Sequence, residues 1–431
     1  MRKLTKWLIP VSCLAITMAS IVPVQLQGQT GKQLSLEEAY DLARKNYPLI
    51  KQKDLVNKSS ELTIDNLQTG YYPQIVISGQ ATYQSEVAEL KTPIAPSLIP
   101  PLAKDQYKVL ADLSQVIYDG GIIREQKNLQ LLNTAVEQQR IEVDLYKLKE
   151  RISQVYLAIL FLDEQLKQVD LIKSDLISGI KRIEAQVNNG TAFRSNLSLL
   201  QAELLDADQR AIDIKATREG YLRSLALFIN TPLAPGTELI MPASVDVNTN
   251  SPITRPELQY YSSQDKLILG QNKMVDAKNL PRASLFLQGG YGRPGLNFLE
   301  NQFDGYYIGG IRLNWALAGF YTHKKDKQVI ELNRQIVETQ KEAFLLNTRT
   351  SLVQQQSEID KYQQLIATDK EIIELRVKVK DASKAQLENG VITASDYLRE
   401  VNAEDQARRS YIRHQLQLLQ AQINYKNISG N

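Results

Sequence analysis

Proline is missing from two long stretches of this chain: none lies between Pro101 and Pro232, and none follows Pro294. Glycine is nearly missing from the same places. Between Ile122 and Asn189 only Gly179 occurs, and between Phe320 and Asn389 there is none. Proline breaks helices and glycine weakens them, so both stretches are predicted as continuous helices of about 70 residues, each roughly 100 Å long. Cysteine is reduced to Cys13, which falls in the N-terminal apolar segment. A chain cleaved after that segment has neither disulfides nor a thiolate metal site. The two histidines, His323 and His414, stand on separate predicted helices without ligand partners at helical spacing, so no metal and no cofactor are expected. No nucleophile motif or phosphate loop appears, and Gly289-Gly290-Tyr291-Gly292 follows a strand-like run but precedes no helix. The chain therefore does not read as an enzyme. Charge of one sign is also lacking. Without Arg2, Lys3 and Lys6, the 51 basic residues fall to 48 against 48 acidic ones, which excludes nucleic acid as a partner.

What is present begins with an export signal. Arg2, Lys3 and Lys6 precede an uncharged run from Trp7 to Val24, and polar residues follow, placing cleavage near Gly28. An uncleaved anchor is the alternative, disfavoured by Pro10 and Pro23. Cys13 follows Pro10-Val11-Ser12 rather than the leucine of a lipidation signal, and the apolar run continues past it, so the exported chain is read as not lipidated.

The long stretches carry coiled-coil seams. Ile141, Leu145, Leu148, Ile152, Val155, Ile159, Leu162, Leu166 and Val169 step by fours and threes. Leu345, Leu352, Ile359, Ile366 and Ile373 recur every seven residues. A coiled-coil rod fits this pattern as well as any other long helical assembly.

The second half repeats the first. Asn189-Gly190-Thr191 and Asn389-Gly390-Val391 are offset by 200 residues, as are Leu113-Ser114-Gln115 and Leu313-Asn314-Trp315. Ser35 and Thr254 each precede a glutamate three residues on, Glu38 and Glu257, the spacing of a capping box. Residues 1–28 form the signal, 29–230 the first repeat, 231–254 a proline-rich linker and 255–431 the second repeat. Each repeat reads helix, two strands, long helix, returning helix.

The strand pairs separate a rod from a channel. Ile75, Ile77, Gly79, Ala81 and Tyr83 alternate with Gln74, Ser78, Gln80 and Thr82. Tyr107, Val109, Ala111 and Leu113 alternate with Lys108, Asp112 and Ser114, Leu110 being the exception. Ala283, Leu285, Leu287, Gly289 and Tyr291 form a third such run, and Tyr307, Gly309, Ile311, Leu313 and Trp315 a fourth. Such alternation suits a soluble sandwich or a membrane barrel with lipid outside and water inside. Four strands cannot close a barrel, which needs about eight. A membrane-spanning sheet of this kind requires several protomers to pool their strands.

With these residues on the page, the chain resembles the TolC-like outer-membrane efflux family from about Leu34 to Ser429. The resemblance rests on Leu34-Ser35-Leu36-Glu37-Glu38-Ala39, Tyr72-Pro73-Gln74, Leu113-Ser114-Gln115-Val116-Ile117-Tyr118-Asp119-Gly120-Gly121, Arg255-Pro256-Glu257-Leu258 and Asn389-Gly390-Val391-Ile392-Thr393. It implies a mainly α fold with a small β part: long antiparallel coiled-coil helices form a periplasmic tunnel. Four strands per protomer contribute to a trimeric twelve-stranded barrel. It also implies a homotrimer in outer-membrane lipid, docked to a periplasmic adaptor protein and an inner-membrane transporter, with 85–105 and 293–304 as extracellular loops. The chain departs from the family at Leu313-Asn314-Trp315-Ala316-Leu317-Ala318-Gly319, which lacks the usual aspartate-glycine pair.

The resemblance places the periplasmic entrance at the helix turnarounds. Gly190, Thr191, Gly390 and Val391 become adaptor-contact tips, and Asp396 matches an acidic entrance position. Threefold symmetry makes such a carboxylate a ring that attracts cations. Thr393-Ala394-Ser395-Asp396 also has capping-box spacing, so Asp396 has a purely local reading too. Arg399 one turn on is placed to neutralise it, and Ser198 occupies the comparable place in the first repeat.

Overall fold

The computed structural model describes residues 33–88, 102–243 and 251–430. The signal 1–28 with Cys13, most of the 85–105 loop and part of the 231–254 linker lie outside the described residues.

The two proline-free stretches are single helices. In chain order the elements are α1 (Leu36–Asn46), α2 (Pro48–Gln68), β1 (Gln74–Tyr83), β2 (Asp105–Tyr118), α3 (Ile122–Asn188) and α4 (Arg194–Ile229). The second half supplies α5 (Pro256–Lys278), β3 (Arg282–Arg293), β4 (Asp304–Asn314), α6 (Gly319–Glu388) and α7 (Ala394–Ser429). Helix α3 has 67 residues and α6 has 70. The halves differ at their first helix. Tyr47 is extended (φ −67°, ψ 134°) because the residue before Pro48 avoids the helical region, so the first half opens with two helices instead of one.

One of the two expected capping boxes is replaced. The Ser35 hydroxyl accepts from the Glu38 amide at 3.1 Å as the spacing predicts. At the start of α5 the N-cap is Arg255, and the Thr254 hydroxyl donates to the Gly430 carbonyl at 2.8 Å. The Glu257 carboxylate pairs with Arg255. Pro256 at the first helical position has no amide to satisfy and already has helical φ, and the Leu258 amide donates to the Arg255 carbonyl at 3.1 Å in place of a cap side chain.

The strands form one antiparallel sheet in the order β1-β2-β3-β4. Its register aligns the four alternations: Ile77 faces Ala111, Ala111 faces Gly289, and Gly289 faces Tyr307. One face therefore collects Ile75, Ile77, Leu113, Leu287, Ile311 and Leu313, all exposed except half-buried Leu113, with Ile77 at 75% and Ile311 at 73%. On the other face Gln288 donates to Asp112 at 2.5 Å, and the Arg312 guanidinium lies 4.7 Å from the Phe286 ring centre. Leu110 belongs to this polar face, opposite Gly290.

The strand-to-helix turn after β2 explains Asp119-Gly120-Gly121. Both glycines have positive φ (73° and 84°), and the Asp119 carboxylate accepts from the amides of Gly121 and Ile123 at 2.8 and 2.7 Å. A Cβ on Gly120 would stand 2.9 Å from the Ala277 carbonyl oxygen. The second half, without that pair, holds its turn differently: the Trp315 indole donates to the Asn279 carbonyl at 3.0 Å.

Helix α3 runs through the middle of a helical wall. Lys127 bonds Gln68 of α2 and Asp163 bonds Arg218 of α4; these positions are 36 residues apart, about ten turns, so both neighbours lie on one side. Helices α5 and α7 pack on the other side, and α6 packs beyond them. The α3 seam is accordingly covered, with Ile141, Leu145, Leu148, Ile152, Ile159 and Val169 all buried. Of the α6 seam only Ile359 is fully buried, because α6 ends the wall and has neighbours on one side alone.

Candidate functional site at the helix tips

The two turnarounds have the same geometry. Gly190 and Gly390 take φ of 74° and 71°, and nothing lies within 4 Å of a Cβ built on either. The amides of Gly190 and Thr191 donate to Val187 and Gln186 at 3.0 and 2.8 Å. Those of Gly390 and Val391 donate to Leu387 and Gln386 at 3.0 and 2.9 Å. This double bond pattern is the Schellman motif, which requires a left-handed residue at the position each glycine fills. The tips touch: Arg182 of α3 pairs with Glu388 of α6, and Gln186 donates to the Glu388 carbonyl at 3.2 Å. Each presents one apolar side chain to solvent, Phe193 (80% exposed) and Val391 (70%).

The returning helices begin differently. In α7 the Thr393 hydroxyl accepts from the Asp396 amide at 3.2 Å, and the Asp396 carboxylate accepts from the Thr393 amide at 3.2 Å. The capping box is thus formed. The Thr393 hydroxyl also donates to Asp396 Oδ2 at 2.7 Å, while Arg399 approaches Oδ1 at 3.7 Å. The bonds from Thr393 hold the Asp396 carboxyl below its ordinary value, and Arg399 adds to this. In α4 no side chain caps the start, and Arg194, Ser195 and Ser198 are exposed.

Above the tips lies a charged cluster that sequence reasoning missed. Lys380 of α6 sits between Asp175 of α3 (3.0 Å) and Glu404 of α7 (2.7 Å), and Arg408 bonds Glu404 at 2.7 Å. Asp405 of α7, 2% exposed, pairs with Arg409 on its own helix and with Arg210 of α4 at 3.5 Å. Burial lowers the Lys380 ammonium, but the bonds to Glu404 and Asp175 outweigh it and leave Lys380 above its ordinary value. Burial raises the Asp405 carboxyl and prevails over both guanidiniums. Around the cluster, Val169, Leu176, Ile183, Leu200, Tyr397, Leu398 and Val401 form one core shared by the two hairpins.

Neither histidine joins the tips. His323 bonds Asp276 at 2.7 Å near the sheet, and His414 bonds Asp369 at 2.6 Å between α6 and α7. Among the described residues no cluster of acids, histidines or cysteines could hold a metal ion, and no helix is long and apolar enough to cross a membrane.

No family model matches the chain, and no curated protein matches it by sequence. Solved structures do. CusC, crystallised in a study of folding and transmembrane channel formation, superposes with a TM-score of 0.67 at 12% identity, covering 93% of this chain and 92% of CusC. The fold is TolC-like. The outer-membrane protein VceC of Vibrio cholerae gives 0.63 at 14% identity over 92% of this chain and 96% of its own. The open state of the Neisseria gonorrhoeae MtrE outer-membrane channel gives 0.63 at 14%, covering 91% and 88%. The TolC-like match spans nearly the whole chain, so sheet, wall and tips are all part of it.

Proposed function

We propose that the chain is the outer-membrane exit duct of a tripartite efflux or type I secretion system, a passive conduit assembled as a homotrimer. The observation that carries this reading is that the open edges coincide. The sheet is open at β1 and β4, and the wall is open along α2 and α4 on the first side and α6 on the second. Uncovered apolar pairs seven residues apart mark the same helices: Leu55 and Leu62 on α2, Leu205 and Ile212 on α4. On α6 they are Val329 and Ile336, then Leu346 and Val353. Seven-residue spacing is the coiled-coil period, so each edge asks for a partner helix. An edge strand in lipid needs a partner strand, since unsatisfied backbone groups cost several kcal/mol each there. A ring of copies joins both layers at once. Three copies give twelve strands, enough to close a barrel.

In this reading the apolar sheet face meets outer-membrane lipid, 293–304 and 85–105 are extracellular, and the tips reach into the periplasm. Gly190, Thr191, Gly390 and Val391, with exposed Phe193 beside them, form the contact for a periplasmic adaptor that links the duct to an inner-membrane transporter. Asp396 serves as cap and as entrance acid together, with Arg399 limiting its charge. The test combines outer-membrane fractionation, native mass spectrometry in detergent and planar-bilayer conductance. A trimer that conducts is expected. A monomer soluble without detergent would instead establish a periplasmic coiled-coil protein.

A further inference from the structure

A cavity of about 500 Å³ opens where the wall meets the sheet, lined by Gly120, Arg124, Glu125, Lys273, Asp276 and Leu280 among others. Gly120 follows β2 by two residues and Leu280 precedes β3 by two, so the cavity sits at the end of the strands. We propose that it binds the phosphate headgroup of an anionic phospholipid in the adjoining leaflet; the proposal rests on the channel reading above for its depth in the membrane.

Three observations converge. The first is charge. Glu125 is buried and takes the Arg124 guanidinium through Nε at 3.0 Å, and among the described residues neither Nη group has a hydrogen-bond partner. Asp276 is balanced by Lys327 at 2.8 Å and His323 at 2.7 Å. Lys273 has no ion-pair partner among the described residues. The segments 68–72, 115–128, 273–282 and 314–327 hold eight basic residues against four acidic, whereas the chain beyond its signal is balanced. A phosphate takes up that excess, and basic pockets at the membrane surface bind anionic headgroups.

The second observation is direction. Arg124 and Asn128 precede Glu142 and Tyr146 by 18 residues, about five turns, so all four share one side of α3. Helix α1 packs on that side: Arg44 bonds Glu142 at 2.9 Å, and Tyr40 and Arg44 line a cleft with Tyr146. A second helical layer can lie only outside a tunnel whose lumen stays open. The cavity therefore opens outward, toward lipid.

The third is the neighbourhood. Tyr71, Tyr72, Tyr118, Trp315, Phe320 and Tyr321 are exposed at the same strand ends, Tyr321 by 86%. Aromatic side chains with polar edges gather at the headgroup level of barrel proteins, where the apolar band of the sheet stops.

The experiment is native mass spectrometry of the trimer released from detergent, titrated with phosphatidylglycerol or phosphatidylethanolamine. The expected result is up to one phosphatidylglycerol per protomer and weaker retention of phosphatidylethanolamine. The double reversal Arg124→Glu with Lys273→Glu should weaken phosphatidylglycerol at least tenfold while Lys273→Arg does not. Both variants should remain trimeric and conducting. Equal retention of the two lipids, or unchanged retention in the double variant, overturns the proposal. Displacement of the lipid by excess inorganic phosphate overturns the lipid source. A soluble monomer overturns the channel reading, and the site with it.

Discussion

Replacing Tyr156 by phenylalanine isolates one hydroxyl that ties the middle of the wall together. Tyr156 of α3 is fully buried, and its hydroxyl lies 2.7 Å from both the Leu34 and the Ile240 carbonyl oxygens. Those carbonyls belong to the bridge in which Leu34 pairs with Leu239, joining the start of the described chain to the segment after α4. Burial pushes the phenol well above its ordinary range, so it stays protonated and able to donate. The two acceptors are unequal. Leu34 also accepts the Ile240 amide at 3.0 Å and keeps that bond in the variant. Tyr156 is the only donor to the Ile240 carbonyl among the described residues. The bond lost is to the carbonyl of Ile240, itself 44% exposed, so water can replace the donor and the cost is that of one ordinary hydrogen bond, about 0.5–1.5 kcal/mol. Local opening should become about 2–12-fold more frequent. Hydrogen exchange read by mass spectrometry should show that increase in peptides covering 33–36 and 238–241, with the tips near Gly190 and Gly390 unchanged. Unaltered exchange at the bridge, or an equal rise at the tips, would refute the assignment of the hydroxyl as a local tie.

Other substitutions probe the tips and the cluster. Gly190→Ala and Gly390→Ala meet no atom within 4 Å, so each should cost only the left-handed backbone penalty, about 1–2 kcal/mol, seen as a lower urea midpoint of tip opening. Asp396 has a carboxyl held low, so its contribution to the α7 start is present above its unfolded value and fades as pH falls through the folded one. Exchange at the 393–396 amides should rise below about pH 4 in the wild type and be high at all pH in Asp396→Ala. Asp396→Asn should keep part of the cap but shift cation block in bilayers; unchanged block would leave Asp396 a cap alone. Asp405→Ala and Arg210→Ala should couple by about 0.5–3 kcal/mol in a double-mutant cycle of hairpin stability, and additivity would break the link between α4 and α7.

What was legible in the sequence was whatever depends on local pattern. The absence of proline and near-absence of glycine marked α3 and α6: an interior proline would have broken either helix, whereas α3 carries Gly179 through. Alternation marked the four strands, and the register then aligned their faces, since a slip of one residue would have inverted a whole strand. The Asn-Gly pairs marked both tips. The break at Pro48 was legible in principle, but the capping signal at Ser35 drew the helix onward. The ionic cluster was not legible. Arg210 and Asp405 are 195 residues apart, and Lys380 and Asp175 are 205 apart. On their own helices these charges look like ordinary solvated faces, and only the packing of one hairpin on the other brings them together. The cavity at the strand ends was hidden for the same reason, its halves coming from α3 and α5.

The two halves of the chain form similar hairpins, α3 with α4 and α6 with α7, and their positions make them unequal. Helix α3 is covered on both sides and carries α1 as an added layer, so six of its nine seam residues are buried within one copy. Helix α6 repeats the same pattern of apolar residues, yet Leu345, Leu352, Ile366 and Ile373 stay only half-covered. The seam is therefore not weaker in sequence; it lacks its second partner. A buried leucine or isoleucine is worth about 1.5–3 kcal/mol over an exposed one, and four incomplete positions forfeit several kcal/mol, comparable to the whole stability of a domain. A single copy then has little margin for folding alone. Closing the proposed ring would complete the α6 seam, the α2 and α4 edges and the sheet edges in the same step. In that proposed assembly folding and association would be one equilibrium, and stability would depend on protomer concentration.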